Sequence, residues 1–476
     1  YVSYKLNLML NFSIYYLRFF NILICFLCFL NILYSYYFDL YLNVDIYLYT
    51  FLISILPLLS FFFLKKNTTK ISIFTKIFSV ILGYFILPLF IALPYYLSIY
   101  NITFANAYFE SVSGFTSTGF TVFENIKHLD ESLILWRSSS QWLGGLYFLF
   151  SIILLIDVFD DNLKKTLTNF LAFNTAEIFK QSLKIFIFYS FLTVIIFVIL
   201  NLFSFRSFVS LNLSMTLISS GGFLPVNNLE SILNSQTKII IFSALMLLSF
   251  FSLFFLYNLA VYRRKEIKFI QEDIYLIGYL IIVIFAFFLL IDKEINFSII
   301  FLSIASCVSN IGVSLKNTPQ HLSFIFIILI IVGGSFFSTS SGLRFLKIIS
   351  LFKFSINEII SNAKPKNVFI NKLLFSDKIM DKTDFYKYFL SIIIFIISLI
   401  FLSSVISMSN LSFEQSFNLS ILTLMNTVNS HMTGTNSIDF EEIGNLTKYF
   451  LILFMIIGRV ELLSILIIFK KFFFKN

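Results

Sequence analysis

Charge is what this chain has least of: Asp, Glu, Lys and Arg make up 12% of its 476 residues, against 58% hydrophobic. A water-soluble globule of this length could not cover so apolar a composition with polar surface, so the chain is expected in a bilayer. Its three cysteines are too few for a disulfide framework. Cys25 and Cys28 form a C-x-x-C one helical turn apart in an apolar run, with no His or carboxylate nearby, and read as buried small hydrophobes. Histidine is as scarce: His128, His321 and His431 lie in expected outer segments without metal-ligand spacing or a paired nucleophile. No phosphate-cradling loop or nucleotide fingerprint is found, so an enzyme is not expected and no cofactor is required. Trp occurs twice and Phe 66 times, a drift toward Phe, Ile, Asn and Lys and no sign of stacking platforms. A removable signal peptide is not expected either, because the first apolar run is long and further runs follow it.

What charge there is falls in particular places. The pairs Lys65–Lys66, Lys164–Lys165, Lys364 and Lys366, and Lys470–Lys471, with the triplet Arg263–Lys265, lie between or after apolar runs. Basic residues near span ends stay on the cytoplasmic side, so these act as topology markers. With no basic stripe on a soluble face, the net charge of +9 does not point to a nucleic-acid partner.

A span takes about 20 apolar residues. Runs of that kind cover Tyr16–Phe38, Ile46–Leu64, Ile73–Ile99, Leu133–Val158, Leu183–Phe203, Lys238–Tyr262, Ile274–Ile291, Phe324–Leu351, Tyr388–Ile406 and Leu446–Phe469. The expected fold is an all-α polytopic membrane protein of about ten transmembrane helices. With the N-terminus in the cytoplasm, every basic loop named above falls inside.

After the first two helices, the other eight form four pairs, each split on the outer side by a segment too polar for lipid yet too apolar for an ordinary loop. These segments are Ala107–Thr121, Leu211–Pro225, Phe301–Leu315 and Ser420–Thr435. Each starts as a short amphipathic helix and ends in small residues with a glycine. Helix, pore loop, helix, repeated four times around a central pore, is the economical organisation. It divides the chain into an N-terminal helix pair (1–72) and repeats at 73–180, 181–270, 271–380 and 381–476.

Backbone that is neither helix nor closed barrel is tolerated at membrane depth only where protein buries it or water lines it. Rings of backbone carbonyls can take over a cation's hydration shell without placing fixed charge in lipid. Small helix-packing residues explain one such loop, but four at equivalent positions argue for ion conduction. An inverted-repeat symporter would need two halves of opposite topology, whereas these four repeats share one orientation.

The chain resembles the Trk/Ktr/HKT superfamily of potassium transporters, in particular its TrkH-like bacterial branch. The resemblance is carried by Phe109–Phe120 (FESVSGFTSTGF), Trp136–Leu146 (WRSSSQWLGGL), Ser219–Phe223 (SSGGF) and Ile457–Leu462 (IGRVEL). It implies potassium uptake across the cell inner membrane, with potassium held at filter carbonyls. It further implies a homodimer and a cytoplasmic, nucleotide-binding, TrkA-like regulatory subunit. Sodium-permeable or sodium- or proton-coupled transport is the alternative within the superfamily.

Residue by residue, the resemblance implies a filter of Gly119, Gly221 and Gly312 with Thr118, Ser220 and Asn310 or Ile311 beside them. In the fourth loop Met432 stands at the expected glycine, with Gly434 two residues on. The second helix of the third repeat is implied to be broken by an intramembrane gate, here Gly333–Gly342 (GGSFFSTSSG), including Gly334. Phe336 and Phe337 replace smaller residues of the family motif and are read as a plug or as side chains packed against lipid. Clustered small residues weaken helix propensity, and hydroxyls can re-satisfy freed backbone groups. Arg459 in the last span is expected to face the path below the filter, repelling cations or anchoring the gate, because a buried cation in a membrane defaults to function. Glu461, two residues on, cannot face it and is expected to bond another repeat. Arg137 is expected only to snorkel toward an interface.

Overall fold

The computed structural model describes residues 2–59, 72–159, 178–261, 270–290, 296–363 and 382–460. Among these the chain is all-helical. An antiparallel pair, α1 (Val2–Tyr37) and α2 (Val44–Leu59), precedes the repeats. The first repeat is α3 (Ile73–Leu97), pore helix α4 (Phe104–Phe115) and α5 (Glu131–Phe159). The second is α6 (Ile178–Leu202), pore helix α7 (Ser207–Ile218) and the segments α8 (Gln236–Phe250) and α9 (Leu253–Val261). The third is α10 (Ile270–Leu290), pore helix α11 (Phe297–Val308), α12 (Ser323–Val332) and α13 (Phe345–Ala363). The fourth is α14 (Lys382–Ser407), pore helix α15 (Phe413–Leu424) and α16 (Asn445–Val460).

Seven described helices are long and apolar enough to cross a bilayer. The other three expected spans are the interrupted α8/α9 and α12/α13, and α16, whose continuation to Phe469 lies outside the described residues. The interruption of α8/α9 corrects the expectation of one unbroken helix over Lys238–Tyr262: Phe251 is extended (φ −80°, ψ 158°), and the helix restarts at Leu253.

Each pore helix packs within its own repeat and also against the returning helix of the repeat before it. α7 lies on α5, α11 on α8 and α15 on α12, while α4 lies on α16. The last of these contacts joins the fourth repeat to the first, so the four units close into a ring. The N-terminal pair covers its outside: α1 packs on α3 and α5, and α5 is buried over residues 132–155. The lipid-facing sides of α10 and α14 are apolar and exposed, with Ile281, Phe285, Ile397 and Phe401 outward.

Pore-helix starts are fixed by local chemistry. Thr103 caps α4 by accepting from the Asn106 amide, and Ser412 with Gln415 forms a reciprocal capping box on α15. Their other ends converge on the ring axis, so four helix C-termini, the negative ends of their dipoles, face one place.

Candidate ion pathway

All four pore helices end the same way. The helix stops, one residue turns left-handed, and the next amide bonds back five residues: Thr118 to the Ser113 carbonyl (2.9 Å), Gly221 to Thr216 (2.8 Å), Ile311 to Ser306 (3.1 Å) and Thr427 to Leu422 (3.0 Å). The left-handed residues are Ser117, Ser220, Asn310 and Asn426, with φ between 48° and 58°. Polar side chains that bond locally tolerate this region better than apolar ones. In the first three loops a hydroxyl at the start of that bond also ties down the outgoing strand: Ser113 to the Phe120 carbonyl (2.6 Å), Thr216 to Phe223 (3.1 Å) and Ser306 to Val313 (2.7 Å). Leu422 has no hydroxyl to offer in the fourth.

This common geometry fixes the register. Thr118, Gly221, Ile311 and Thr427 are equivalent, and so are Gly119, Gly222, Gly312 and Val428. The second loop therefore places Gly222, not Gly221, beside Gly119: a Cβ on Gly119 would lie 2.8 Å from the Gly222 Cα. Gly221 sits one step earlier, against the Gln141 side chain. The fourth position likewise moves from Met432 or Gly434 to Val428. Met432 is buried behind the third loop, its amide donating to Ser314 Oγ (3.3 Å) and its sulfur 3.6 Å from Cys307 Sγ. Gly434 follows a short 3-10 turn at φ 69°, with nothing within 4 Å of its Cβ position. The glycine drew the sequence assignment, but it serves that turn. Two signals in the sequence mark the true register: the Gly-Phe pair shared by 119–120 and 222–223, and the parallel between Asn310-Ile311-Gly312 and Asn426-Thr427-Val428.

The tips are stitched together below the ring. Ser220 Oγ donates to the Ser309 carbonyl; Asn310 Nδ2 reaches Thr427 Oγ1 (3.3 Å) and the Ile330 carbonyl (2.9 Å). Asn426 Nδ2 reaches Thr118 Oγ1 (3.0 Å) and the Met455 carbonyl (2.8 Å). Each left-handed side chain of loops two to four thus bonds the next loop round. Ser117 of the first instead accepts from Arg459 Nη2 (3.4 Å).

Arg459 is 2% exposed. Its Nη1 donates to Ser341 Oγ, and its guanidinium lies 3.9 Å from the centroid of the Phe148 ring, so it links the segment after α12 to the first loop. Glu461, expected to bond another repeat, lies outside the described residues. Arg137 does not snorkel. It is 1% exposed, its Nε bonding Glu110 (2.9 Å) and its Nη2 Thr121 Oγ1 (3.0 Å), with Phe223 4.2 Å from the guanidinium. Glu110 also accepts from the Val122 amide (2.9 Å). This pair ties pore helix α4, its outgoing strand, α5 and the second loop into one unit.

Between α12 and α13 the chain leaves the helix at Gly333 and re-enters it after Arg344. Gly333 (φ 67°) and Gly342 (φ 87°) pinch the two ends together, since a Cβ on Gly342 would lie 2.5 Å from the Gly333 Cα. A Cβ on Gly334 would meet Ser340 Oγ and the Phe250 carbonyl. From this neck a loop projects under the pore helices: Thr339 Oγ1 donates to the Ile218 carbonyl at the end of α7 (2.7 Å). Arg344, which the sequence analysis passed over, holds the loop from inside, its Nη1 donating to the carbonyls of Ser335 (3.0 Å) and Ser340 (2.8 Å). Phe336 and Phe337 are 2% and 4% exposed, with ring centroids 5.0 Å apart, and neither faces lipid.

No family model matches the sequence. An uncharacterized cation transporter of Methanocaldococcus jannaschii is 25% identical over 411 residues, covering 81% of this chain and 80% of that protein. The Trk system potassium uptake protein TrkG of Escherichia coli is 25% identical over 399 residues, 79% of this chain and 80% of that one. The crystal structure of the potassium transporter TrkH from Vibrio parahaemolyticus superposes with a TM-score of 0.81 at 19% identity, covering 97% of this chain and 99% of the other. The chain is similar to Trk system potassium uptake proteins and shares the fold of TrkH. The relatives' names and the seven apolar helices support a transport protein of the membrane. The four equivalent loops are the polar non-helical backbone at the centre of the ring, which is tolerated at membrane depth only where protein buries it or water lines it.

Proposed function

We propose that this chain takes up potassium across the cytoplasmic membrane, through carbonyls presented by Thr118–Gly119, Gly221–Gly222, Ile311–Gly312 and Thr427–Val428. The observation that carries this reading is the shared ending of the four pore helices, which aims four helix C-termini and a belt of carbonyls at one axis. Relatives named as potassium uptake proteins support the choice of ion. In this reading the loop 333–344 lies across the path beneath the tips and is its gate, steadied by Arg344 and Arg459. The working unit is a homodimer with a nucleotide-binding, TrkA-like subunit on the cytoplasmic side, where the N-terminus also lies.

A second reading, sodium-permeable transport, is favoured by one observation: Val428 stands where the other three loops have glycine. Growth and ion uptake in bacteria lacking their own potassium importers, with and without a candidate regulatory subunit, separate the two. Rescue at low potassium with little sodium entry is the expected result. Uptake dominated by sodium would replace the first reading with the second.

A further inference from the structure

Two adjacent carboxylates at the start of α10 have no part in the ring of tips, yet both are buried: Glu272 is 8% and Asp273 0% exposed. Each is spent on a helix break. Asp273 accepts from the Ser252 amide (2.9 Å) and the Ser252 hydroxyl (2.8 Å), at the point where α8 gives way to α9. That hydroxyl in turn accepts from the Phe255 amide (3.0 Å), capping the first turn of α9. Glu272 accepts from Ser335 Oγ (3.1 Å) and the Phe336 amide (3.0 Å), in the first turn of the loop after α12.

The two breaks also bond each other directly. The Ser335 amide donates to the Phe250 carbonyl (3.1 Å), the Ser340 amide to Ser249 (3.2 Å), and the Leu253 amide to the Phe337 carbonyl (3.1 Å). The backbone groups freed when α8 stops are therefore taken up by the loop that interrupts α12/α13. Two broken helices from different repeats form one joint, and one rod, α10, grips both sides of it.

We propose that Glu272 and Asp273 are positioning residues that clamp the α8/α9 break to the loop 333–344, so that this loop leaves the path only when the joint parts. The proposal rests on the reading of that loop as the gate. α10 belongs to the same repeat as the loop, whereas the α8/α9 break belongs to the repeat before it. Opening therefore demands relative movement of two repeats and not the flexing of one loop. Each carboxyl accepts two bonds from one break, so parting the joint gives up both at once.

The test is rubidium and sodium uptake into proteoliposomes holding the full chain, for the wild type, Glu272→Ala, the milder Ser335→Ala and a Phe336→Ala/Phe337→Ala double variant. Loss of two buried hydrogen bonds shifts an equilibrium by about tenfold. Glu272→Ala is expected to raise resting rubidium uptake by about that factor and Ser335→Ala by less, both with the wild-type rubidium-to-sodium ratio. Glu272→Gln, which keeps an acceptor for the Phe336 amide, should fall back toward the wild type, a rescue that a merely space-filling residue would not show. Unchanged or lowered uptake by monodisperse Glu272→Ala and Ser335→Ala, while the double phenylalanine variant leaks, overturns the clamp and leaves the gate standing. If no variant moves, the gate reading falls and takes the clamp with it.

Discussion

Val428 is the residue that sets this chain apart within its own ring. A Cβ placed on Gly222 would lie 2.4 Å from the Val428 Cβ, so the valine side chain fills the space between the second and fourth tips. A β-branched side chain is stiff about χ1 and cannot easily swing clear. Val428→Gly is therefore expected to raise rubidium uptake and to sharpen discrimination against sodium. Equal rates and ratios in the two proteins would show that the side chain lies outside the path. The Glu110–Arg137 pair is of another kind, because it holds the tips without lining them. Glu110→Ala leaves an unpaired buried guanidinium beside Phe223, a change that costs about 3–5 kcal/mol. Thermal unfolding in detergent should show a large drop in midpoint, with Glu110→Ala/Arg137→Ala recovering part of it.

At the scale of elements, the breaks matter more than the helices. The neck formed by Gly333 and Gly342 has room for no side chain on either strand, and both glycines hold positive φ. Gly342→Ala should cost at least about 1–2 kcal/mol from the left-handed backbone alone. The loop would then be forced off its seat under α7, and uptake without any regulatory subunit is expected to rise. The α12/α13 break was legible in the sequence because GGSFFSTSSG is rich in small residues. The α8/α9 break was not. Phe250 and Phe251 continue the apolar run, and the group that stops the helix, Asp273, comes more than twenty residues later. Pore helices were legible for a related reason, as polar interruptions of apolar runs. The fourth register was marked only by the likeness of Asn426-Thr427-Val428 to Asn310-Ile311-Gly312, since a valine stands where the other loops carry the glycine that makes them legible.

For the molecule as a whole, closure of the ring decides what each part can do. The ten-helix outline could be read from hydropathy, but the order in which the repeats touch could not, because it rests on contacts between residues hundreds of positions apart. On the side of the pore loops an acidic rim gathers where the first and fourth repeats meet. There Asp439 hydrogen-bonds Glu124, and its charge, with those of Glu441 and Glu442, raises the Glu124 carboxyl above its usual range. Raised in this way, Glu124 takes up its proton early as the medium is acidified, and the rim loses negative charge. The half-saturating potassium concentration is expected to rise as the medium is acidified at low ionic strength. High salt should abolish the effect, since exposed charges are screened over about 10 Å at 0.1 M.

The closing contact, α4 against α16, also has a consequence for biogenesis. Asn426 and Arg459, which satisfy Thr118 and Ser117 of the first loop, are synthesised more than 300 residues after the groups they serve. The first loop must wait, unfinished, through the insertion of three repeats. Lys448, which donates to Asn106 at the start of α4 (2.7 Å), fastens the same seam. A nascent chain halted before α15 would hold the first three loops around an open side, so closure of the ring waits for the fourth repeat.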